Sequence, residues 1–271
     1  MSDHGFKRNL SEKFYTKSEV AKICISYFIQ TIMPKVNSYI IEPSAGSGSF
    51  SNPLKKSFKN VVAIDIDKEL EYTVHKDYLT YEPNTSNKIH VIGNPPFGRQ
   101  LSLARKFIQH SAKFAESISF ILPKSFKKES VQKIFPLEFH LLYEWELPKN
   151  SFYIAKTGKR HDVPTVFQIW RRSDTLRTVR EKPLPRYFSF LKYGDDTIDF
   201  AIRRVGGTAG KIVKEWKGCS IQSHYFIRLD SVNTDDFMKL YDSSVFPSNN
   251  TVGPRSISKT ELIDVMNSLK I

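Results

Sequence analysis

The sequence predicts an α/β protein built on a doubly wound, mostly parallel sheet. Two observations support this fold class. Short apolar segments of strand length alternate with longer segments of helical periodicity, as in parallel sheets covered on both faces. Glycines, prolines or polar residues directly follow three of the short segments, where parallel sheets bind ligands beyond the carboxyl ends of their strands. The same residues therefore predict a binding site.

The first predicted element is an amphipathic helix from Lys17 to Met33, because apolar residues recur three and four positions apart and Pro34 ends the pattern. The remaining elements follow in chain order. They are strands at Ser38–Glu42, Val61–Asp67 and His90–Gly93, a helix at Leu101–Phe114, and strands at Ile118–Leu122, Phe139–Leu147 and Thr165–Arg171. We therefore expect one catalytic domain over residues 1–175.

The pattern changes after Arg172. Prolines and charges between Arg177 and Arg186 indicate a linker or extended arm. Residues 176–271 are expected to form a small basic region that recognises nucleic acid. Its predicted elements are strands at Ile198–Arg204, Gly210–Val213 and His224–Leu229, and a helix at Ser258–Leu269 with Ser258 and Glu261 placed for a capping box.

Charge favours a polyanionic partner. The 271 residues carry a formal net charge of +13, from 41 Lys and Arg against 28 Asp and Glu. The segment Lys156–Lys217 alone holds 15 basic and 7 acidic residues, which is typical of a docking face.

Cysteine content and hydropathy indicate a reducing compartment. Cys24 and Cys219 are the only cysteines and lack the spacing of metal ligands, so neither a disulfide framework nor a metal site is expected. The start of the chain is polar, and Ala21–Met33 is too short to span a bilayer. We expect no membrane association, and a cytoplasmic location or another reducing compartment that contains nucleic acid.

A Gly/Ser turn, Glu42–Gly48, follows the first strand of the predicted sheet. Such turns bind dinucleotides or phosphates, but the third glycine of the dinucleotide pattern is replaced by Ser51 and no phosphate-binding lysine is present. An acid at the strand end repels phosphate and can pair with an ammonium group. The turn therefore favours a cationic nucleoside without phosphates; alone, it is as typical of a plain strand-to-helix connection.

Acidic residues follow the second strand. Asp65 is placed to accept hydrogen bonds from ribose hydroxyls, while Asp67 competes for this role and either acid could instead cap a helix. The pair Asp77 and Tyr78 lies where a further strand end would fall. It is predicted to contact an adenine, with an ordinary surface aspartate beside a packed tyrosine as the alternative.

The segment Asn94-Pro95-Pro96-Phe97 follows the third strand and is the most informative. Its prolines fix the backbone and leave carbonyls without neighbouring donors. An aromatic amino group is a poor nucleophile, but the Asn94 oxygen and the Pro95 carbonyl could accept its two hydrogens and direct its lone pair at a methyl group. Phe97 would stack on the base. Without the two preceding motifs, a rigid turn would be the favoured interpretation.

Together, these motifs resemble class I S-adenosylmethionine-dependent methyltransferases that modify adenine N6, in the arrangement of the gamma class of DNA adenine methyltransferases. The resemblance covers Phe14 to Arg172. It implies S-adenosylmethionine as cofactor and a base flipped onto an aromatic side chain, Phe152 or its neighbour Tyr153. The implied cofactor contacts are Phe14, Tyr15 and Thr16 at the methionine end, Glu42, Ala45 and Gly46 in the turn, Asp65 at the ribose, Asp77 and Tyr78 at the adenine, and Asn94.

The expected partner is nucleic acid, with DNA favoured over RNA because of the motif order and because Ser256–Leu262 resembles segments of restriction-modification proteins. The residues expected to bind it are Lys156, Lys159, Arg160, Arg203 and Arg204. The alternatives are an RNA adenine methyltransferase and a nucleic-acid-binding protein with a vestigial pocket. The related glutamine methyltransferases of release factors fit less well, because their protein substrate does not need the basic region.

Overall fold

A computed structural model describes residues 14–154, 157–178, 181–241, 246 and 255–269. Contacts divide the chain into an N-terminal unit, Met1–Thr178, and a C-terminal unit, Val179–Ile271. The domain boundary predicted from the sequence lies between residues 175 and 176, close to this division.

The N-terminal unit contains ten strands and four α-helices among its described residues. The strands are β1 (Phe14–Thr16), β2 (Tyr39–Glu42), β3 (Asn60–Asp65), β4 (Val74–His75), β5 (Ile89–Gly93), β6 (Ser117–Pro123), β7 (Phe139–Glu146), β8 (Phe152–Ile154), β9 (Arg160–His161) and β10 (Thr165–Arg172). The helices are α1 (Ser18–Ile32), α2 (Ser51–Ser57), α3 (Ser102–Ser111) and α4 (Glu129–Gln132). Short 3-10 turns occur at Tyr78–Thr80, Arg99–Leu101 and Lys124–Lys127.

Seven of these strands form the central sheet in the order β4-β3-β2-β5-β6-β10-β7. The first five are mutually parallel, and β10 runs antiparallel to both β6 and β7. This arrangement confirms the predicted fold class, a doubly wound, mostly parallel α/β sheet of the class I methyltransferase type.

Burial explains why the middle strands of the sheet can be predicted from the sequence. Every residue of β5 and β6 is buried, as expected for strands covered on both faces. One apolar cluster, with Phe107, Phe120 and Trp170, lies on the α3 side of the sheet. The other, with Phe28 and Phe167, lies on the side of α1 and α2. Each predicted strand of the sheet occurs within two residues of its expected bounds.

A second, three-stranded antiparallel sheet of order β1-β8-β9 has no counterpart in the sequence prediction. In it, Tyr15 pairs with Tyr153 and Thr16 with Phe152. Strands of two or three residues are too short to show a period, and β1 and β8 are distant in sequence, so no local pattern reveals the pairing. This sheet carries predicted cofactor contacts to the edge of the central sheet.

The C-terminal unit has a four-stranded antiparallel sheet of order β11-β14-β12-β13. Its elements are β11 (Phe188–Leu191), β12 (Phe200–Arg203), β13 (Ile212–Val213), β14 (His224–Leu229), α5 (Thr234–Tyr241) and α6 (Lys259–Ser268). The predicted capping box of α6 is present: the Ser258 hydroxyl accepts from the Glu261 N–H at 3.2 Å, and the Ser258 N–H donates to the Glu261 carboxylate at 2.8 Å. Strand β11 and helix α5 were not predicted.

Candidate active site

Polar residues at the ends of three adjacent strands come together at the carboxyl edge of the central sheet. Glu42 and Asp65 end β2 and β3, and Asn94 directly follows β5. The Gly/Ser turn after β2 is bonded to both neighbouring strand ends. The Gly46 N–H donates to the Asp65 carboxylate at 2.7 Å, and the Ser44 hydroxyl donates to the Asn94 backbone carbonyl at 3.0 Å. The residues that the sequence placed at one edge therefore form one connected cluster.

Tyr15 packs directly on the Gly/Ser turn. Gly46 has a positive φ of 47°, and a Cβ there would lie 2.7 Å from the Tyr15 ring, so glycine is required for this contact. The Tyr15 hydroxyl is bonded to the Glu69 carboxylate. The Tyr153 ring meets Tyr15 edge-on, with centroids 5.6 Å apart, and its hydroxyl lies 3.2 Å from the Ser47 hydroxyl. The small sheet thus holds Tyr15 against the Gly/Ser turn, and its contact with a cofactor stays a prediction.

Thr16 lies under the same turn. Its backbone carbonyl accepts a hydrogen bond from the Ser49 hydroxyl at 2.7 Å. Its own side-chain hydroxyl is buried and has no partner among the described residues. Beside it, a cleft of about 390 Å³ is lined by Lys17, Ser18, Glu19, Ser47, Gly48, Ser49, Asn52, Pro53 and Tyr153. Ala45 is buried, and its N–H donates to the Ile64 carbonyl at 2.9 Å, which anchors the turn to β3.

Glu42 lies at the predicted position, but its carboxylate does not face an open site. The residue is only 2% exposed and accepts a hydrogen bond from the Ser51 N–H, at the start of α2, at 2.8 Å. Burial raises the pKa of Glu42 to about 8, against the effect of its hydrogen bonds to the first residues of α2. Glu42 therefore joins β2 to α2, and the expected pairing of this acid with a ligand ammonium group does not fit its burial.

The raised pKa of Glu42 predicts a pH-dependent stability. Above the ordinary pKa of 4.5 the unfolded carboxyl ionises while the folded one keeps its proton, so stability falls as pH rises from about 4.5 to about 8. Glu42→Gln keeps an acceptor for the Ser51 N–H and removes the titration. We expect the free energy of unfolding of the variant to gain on the order of 2 kcal/mol relative to wild type between about pH 5 and about pH 8.

Chemical denaturation across this pH range measures the effect. His90, whose pKa burial lowers to about 4, titrates in both proteins and cancels in the comparison. Parallel stability curves for the two proteins would contradict a protonated Glu42.

Asp65 lies in the open part of the site. Its carboxylate accepts hydrogen bonds from the Gly46 N–H at 2.7 Å and from the Asp67 N–H at 3.0 Å, which fixes its orientation. The next side chain, Ile66, is 65% exposed and offers an apolar surface beside this carboxylate. A carboxylate can accept hydrogen bonds from ribose hydroxyls, and an exposed apolar side chain beside it can contact a base. The sequence analysis missed Ile66, although an apolar residue between two acids at a strand end was the signal.

Asn94 presents a hydrogen-bond acceptor with no protein donor. Its side-chain Oδ1 is buried and has no partner in the described ranges. The Pro95 carbonyl likewise accepts no hydrogen bond from the residues that the structure describes. Pro96 is exposed, and Phe97 is half-buried against the apolar cluster of α1 and α2. A buried acceptor without a partner costs about 1–3 kcal/mol, and a hydrogen-bond donor on a ligand would offset this cost at the Asn94 Oδ1.

The two predicted adenine contacts differ in their environment. Tyr78 is 2% exposed within the core on the α3 side, and its hydroxyl bonds the Ser111 hydroxyl at 2.7 Å. The prediction is therefore wrong for the Tyr78 side chain, because an aromatic residue after an acid fits a core position as well as a ligand contact. Asp77 accepts from the Leu79 N–H at 2.9 Å and caps the 3-10 turn that begins at Tyr78. It is exposed just beyond the end of β4, next to β3, and its contact with an adenine stays a prediction.

The predicted stacking of Phe152 on a flipped base does not fit the structure either. It is 2% exposed and belongs to the apolar cluster of α1 and α2, so its ring is not available to a flipped base. Because successive side chains alternate along a strand, Phe152 and Tyr153 of β8 point to opposite sides of the sheet. Tyr153, the second candidate, is half-buried and lies against the Gly/Ser turn.

The predicted nucleic-acid contacts are only partly described. Lys156 lies outside the described residues, and the side chain of Arg160 is not described; Lys159 is exposed. In the C-terminal unit Arg203 and Arg204 are exposed. The Arg203 Nε donates to the Val205 carbonyl at 3.1 Å, and the Arg204 guanidinium lies 5.3 Å from the centre of the Tyr225 ring.

No group of three His, Cys, Asp or Glu in the described ranges could hold a metal ion. Of the helices that the structure describes, none combines the length and hydropathy needed to cross a membrane.

Comparison with known proteins gives distant similarity. No protein-family model matches the chain. It is 25% identical over 173 residues to a ribosomal RNA small subunit methyltransferase A of Mycoplasma mobile, covering 59% of this chain and 64% of the relative. The protein of the same name from Wigglesworthia glossinidia brevipalpis is 25% identical over 169 residues, covering 55% and 61%. The chain therefore spans less than two thirds of the length of either relative.

The chain is also similar to solved structures. One is a 23S rRNA methyltransferase, with 16% identity and a TM-score of 0.43 over 62% of this chain and 72% of that one.

Proposed function

We propose that this protein transfers a methyl group from S-adenosylmethionine to the N6 amino group of adenine in RNA. The observation that carries the proposal is the buried Oδ1 of Asn94, which has no partner in the described part of the chain. It directly follows β5, at the carboxyl edge of a mostly parallel sheet, where such folds bind their substrates.

The residues around Asp65 fit the cofactor. Gly46 lets the Tyr15 ring pack on the turn, and the Asp65 carboxylate is oriented by two N–H donors. With Ile66 exposed beside it, this part of the site would hold the ribose and adenine of S-adenosylmethionine. The cofactor supplies an electrophilic methyl group, and the protein needs only to bind it and present the amino group.

Asn94 and Pro95 would prepare the amino group for transfer. The exocyclic nitrogen of adenine shares its lone pair with the ring and is a weak nucleophile. Two acceptors, the Asn94 Oδ1 and the Pro95 carbonyl, would take its two hydrogens and favour a pyramidal nitrogen. Proline geometry and the bond from the Ser44 hydroxyl to the Asn94 backbone carbonyl fix the backbone that carries both acceptors, which favours a preorganised stabilisation. Phe97 would stack on the base.

The relatives favour RNA over the DNA substrate expected from the sequence. Both are named as ribosomal RNA methyltransferases, and the matches cover 59% and 55% of this chain. A DNA preference gains no support from them. A single-stranded or looped RNA also lets adenine enter an enclosed site at a smaller unstacking cost than a duplex does.

Methyl transfer with labelled cofactor tests the proposal. The full chain is incubated with small-subunit ribosomal RNA, with single- and double-stranded DNA of the same sequence, and with a protein mixture. We expect label in RNA and N6-methyladenosine after nuclease digestion. Label only in DNA would overturn the RNA assignment. Cofactor and RNA binding without transfer to any acceptor would favour a nucleic-acid-binding protein with a vestigial pocket.

A further inference from the structure

A group of three basic side chains lies beside the Asn94 site on the side of α3. We call Arg99, Arg105 and Lys106 the cationic rim. The chain passes from Phe97 through a short 3-10 turn into α3, and the Ala104 N–H donates to the Phe97 carbonyl at 3.2 Å. This bond ties the first turn of α3 to the tetrapeptide that begins at Asn94. The rim therefore belongs to the turn and helix that directly follow this tetrapeptide and are bonded to it.

The turn before α3 is tightly folded. Gly98 has a φ of 69°, and a Cβ there would lie 2.8 Å from the Leu103 backbone nitrogen. Gln100 and Leu101 also have positive φ values, 51° and 64°, which are costly for residues with side chains. Leu101 packs against the core, whereas Arg99 remains exposed. The segment that exposes Arg99 to solvent therefore has an unfavourable backbone geometry.

The charges of the rim are not balanced by the protein. The sequence between Glu82 and Glu116 contains no Asp or Glu. All three rim side chains are exposed and make no ion pair with any residue that the structure describes. Arg99 lies just before α3, where the helix dipole disfavours a cation, and Arg105 and Lys106 are the fourth and fifth residues of the helix. A polyanionic ligand would balance the three charges.

We propose that the cationic rim binds the phosphodiester backbone of the RNA next to the target adenosine. This inference rests on the proposed function and extends it, because it states on which side of Asn94 the substrate strand leaves the site. Guanidinium and ammonium groups pair with phosphate oxygens irrespective of base sequence, so the rim would contribute affinity and register. None of these three residues was among the expected nucleic-acid contacts.

The test compares two triple variants with the same loss of charge. One is R99Q/R105Q/K106Q. The control is K35Q/K59Q/K113Q, whose exposed lysines lie at the opposite, amino edge of the sheet. Binding to a single-stranded RNA that wild type methylates is measured over a range of salt concentrations, together with KM, kcat and cofactor affinity. Arg99→Gln alone is included in case the triple variant folds poorly.

We expect the rim variant to raise KM for RNA by about 10- to 100-fold. The slope of log Kd against the logarithm of the salt concentration should fall by about 2, as for three lost phosphate contacts to a single strand. Its kcat and cofactor affinity should stay near wild type. Equal RNA affinity and equal salt dependence for the rim and control variants would overturn the inference while leaving methyl transfer by wild type intact. Absence of methylation by wild type would instead overturn the proposed function.

Discussion

Replacing Asn94 with alanine is expected to lower the rate of methyl transfer by about 10²- to 10³-fold, the usual cost of removing one preorganised polar group from a transition state. The loss should appear in kcat, because the acceptor matters most when the amino nitrogen becomes pyramidal. The variant should fold at least as well as wild type. The Oδ1 atom is buried without a partner in the described chain, so its removal relieves a desolvation cost. Rates at saturating cofactor and RNA, with thermal unfolding of the same samples, measure both effects.

Two variants make this result specific. Asn94→Asp keeps oxygen acceptors at the same position and should retain more activity than Asn94→Ala. Asn84→Ala alters an exposed asparagine of the same unit and should leave the rate unchanged. A mutant Asn94→Ala that transfers methyl groups at the wild-type rate would remove the basis of the proposed mechanism. A mutant that loses activity only in proportion to a loss of folded protein would indicate a structural role.

The central sheet was predictable because its signals are local. Strands β5 and β6 are continuous apolar segments, and Asp65 and Asn94 mark strand ends by a change to polar residues or proline. Adjacency of parallel strands then brings these ends together. The side-chain directions were less predictable. Glu42 could face a ligand or the start of α2, and only the position of the Ser51 N–H decides between them.

The remaining failures concern contacts between distant segments. Pairing of β1 with β8 brings Tyr15 and Tyr153 together, and neither strand has a readable period. Tyr78 lies in the core because Ser111, on α3, supplies a partner for its hydroxyl. Resemblance to a family names a segment but does not say which of its aromatic side chains is exposed, because a shift of one residue in a strand reverses the face.

Phe152→Ala is expected to lower the free energy of unfolding by about 3–5 kcal/mol, since a fully enclosed aromatic ring is removed from the cluster of α1 and α2. Phe152→Leu should cost about 1 kcal/mol of unfolding free energy because it refills most of the space, and it should retain the wild-type kcat.

Tyr153→Ala should show the opposite pattern. The change in stability should be small, because the side chain is half-buried. The loss of methyl transfer per folded molecule should be larger, because the Tyr153 ring and hydroxyl contact Tyr15 and Ser47 at the Gly/Ser turn. Denaturation curves and initial rates, taken where every variant is folded, separate the two residues. If Phe152→Leu lost activity at full stability, the ring would be reaching the substrate, and the base-stacking role expected from the sequence would be restored to it.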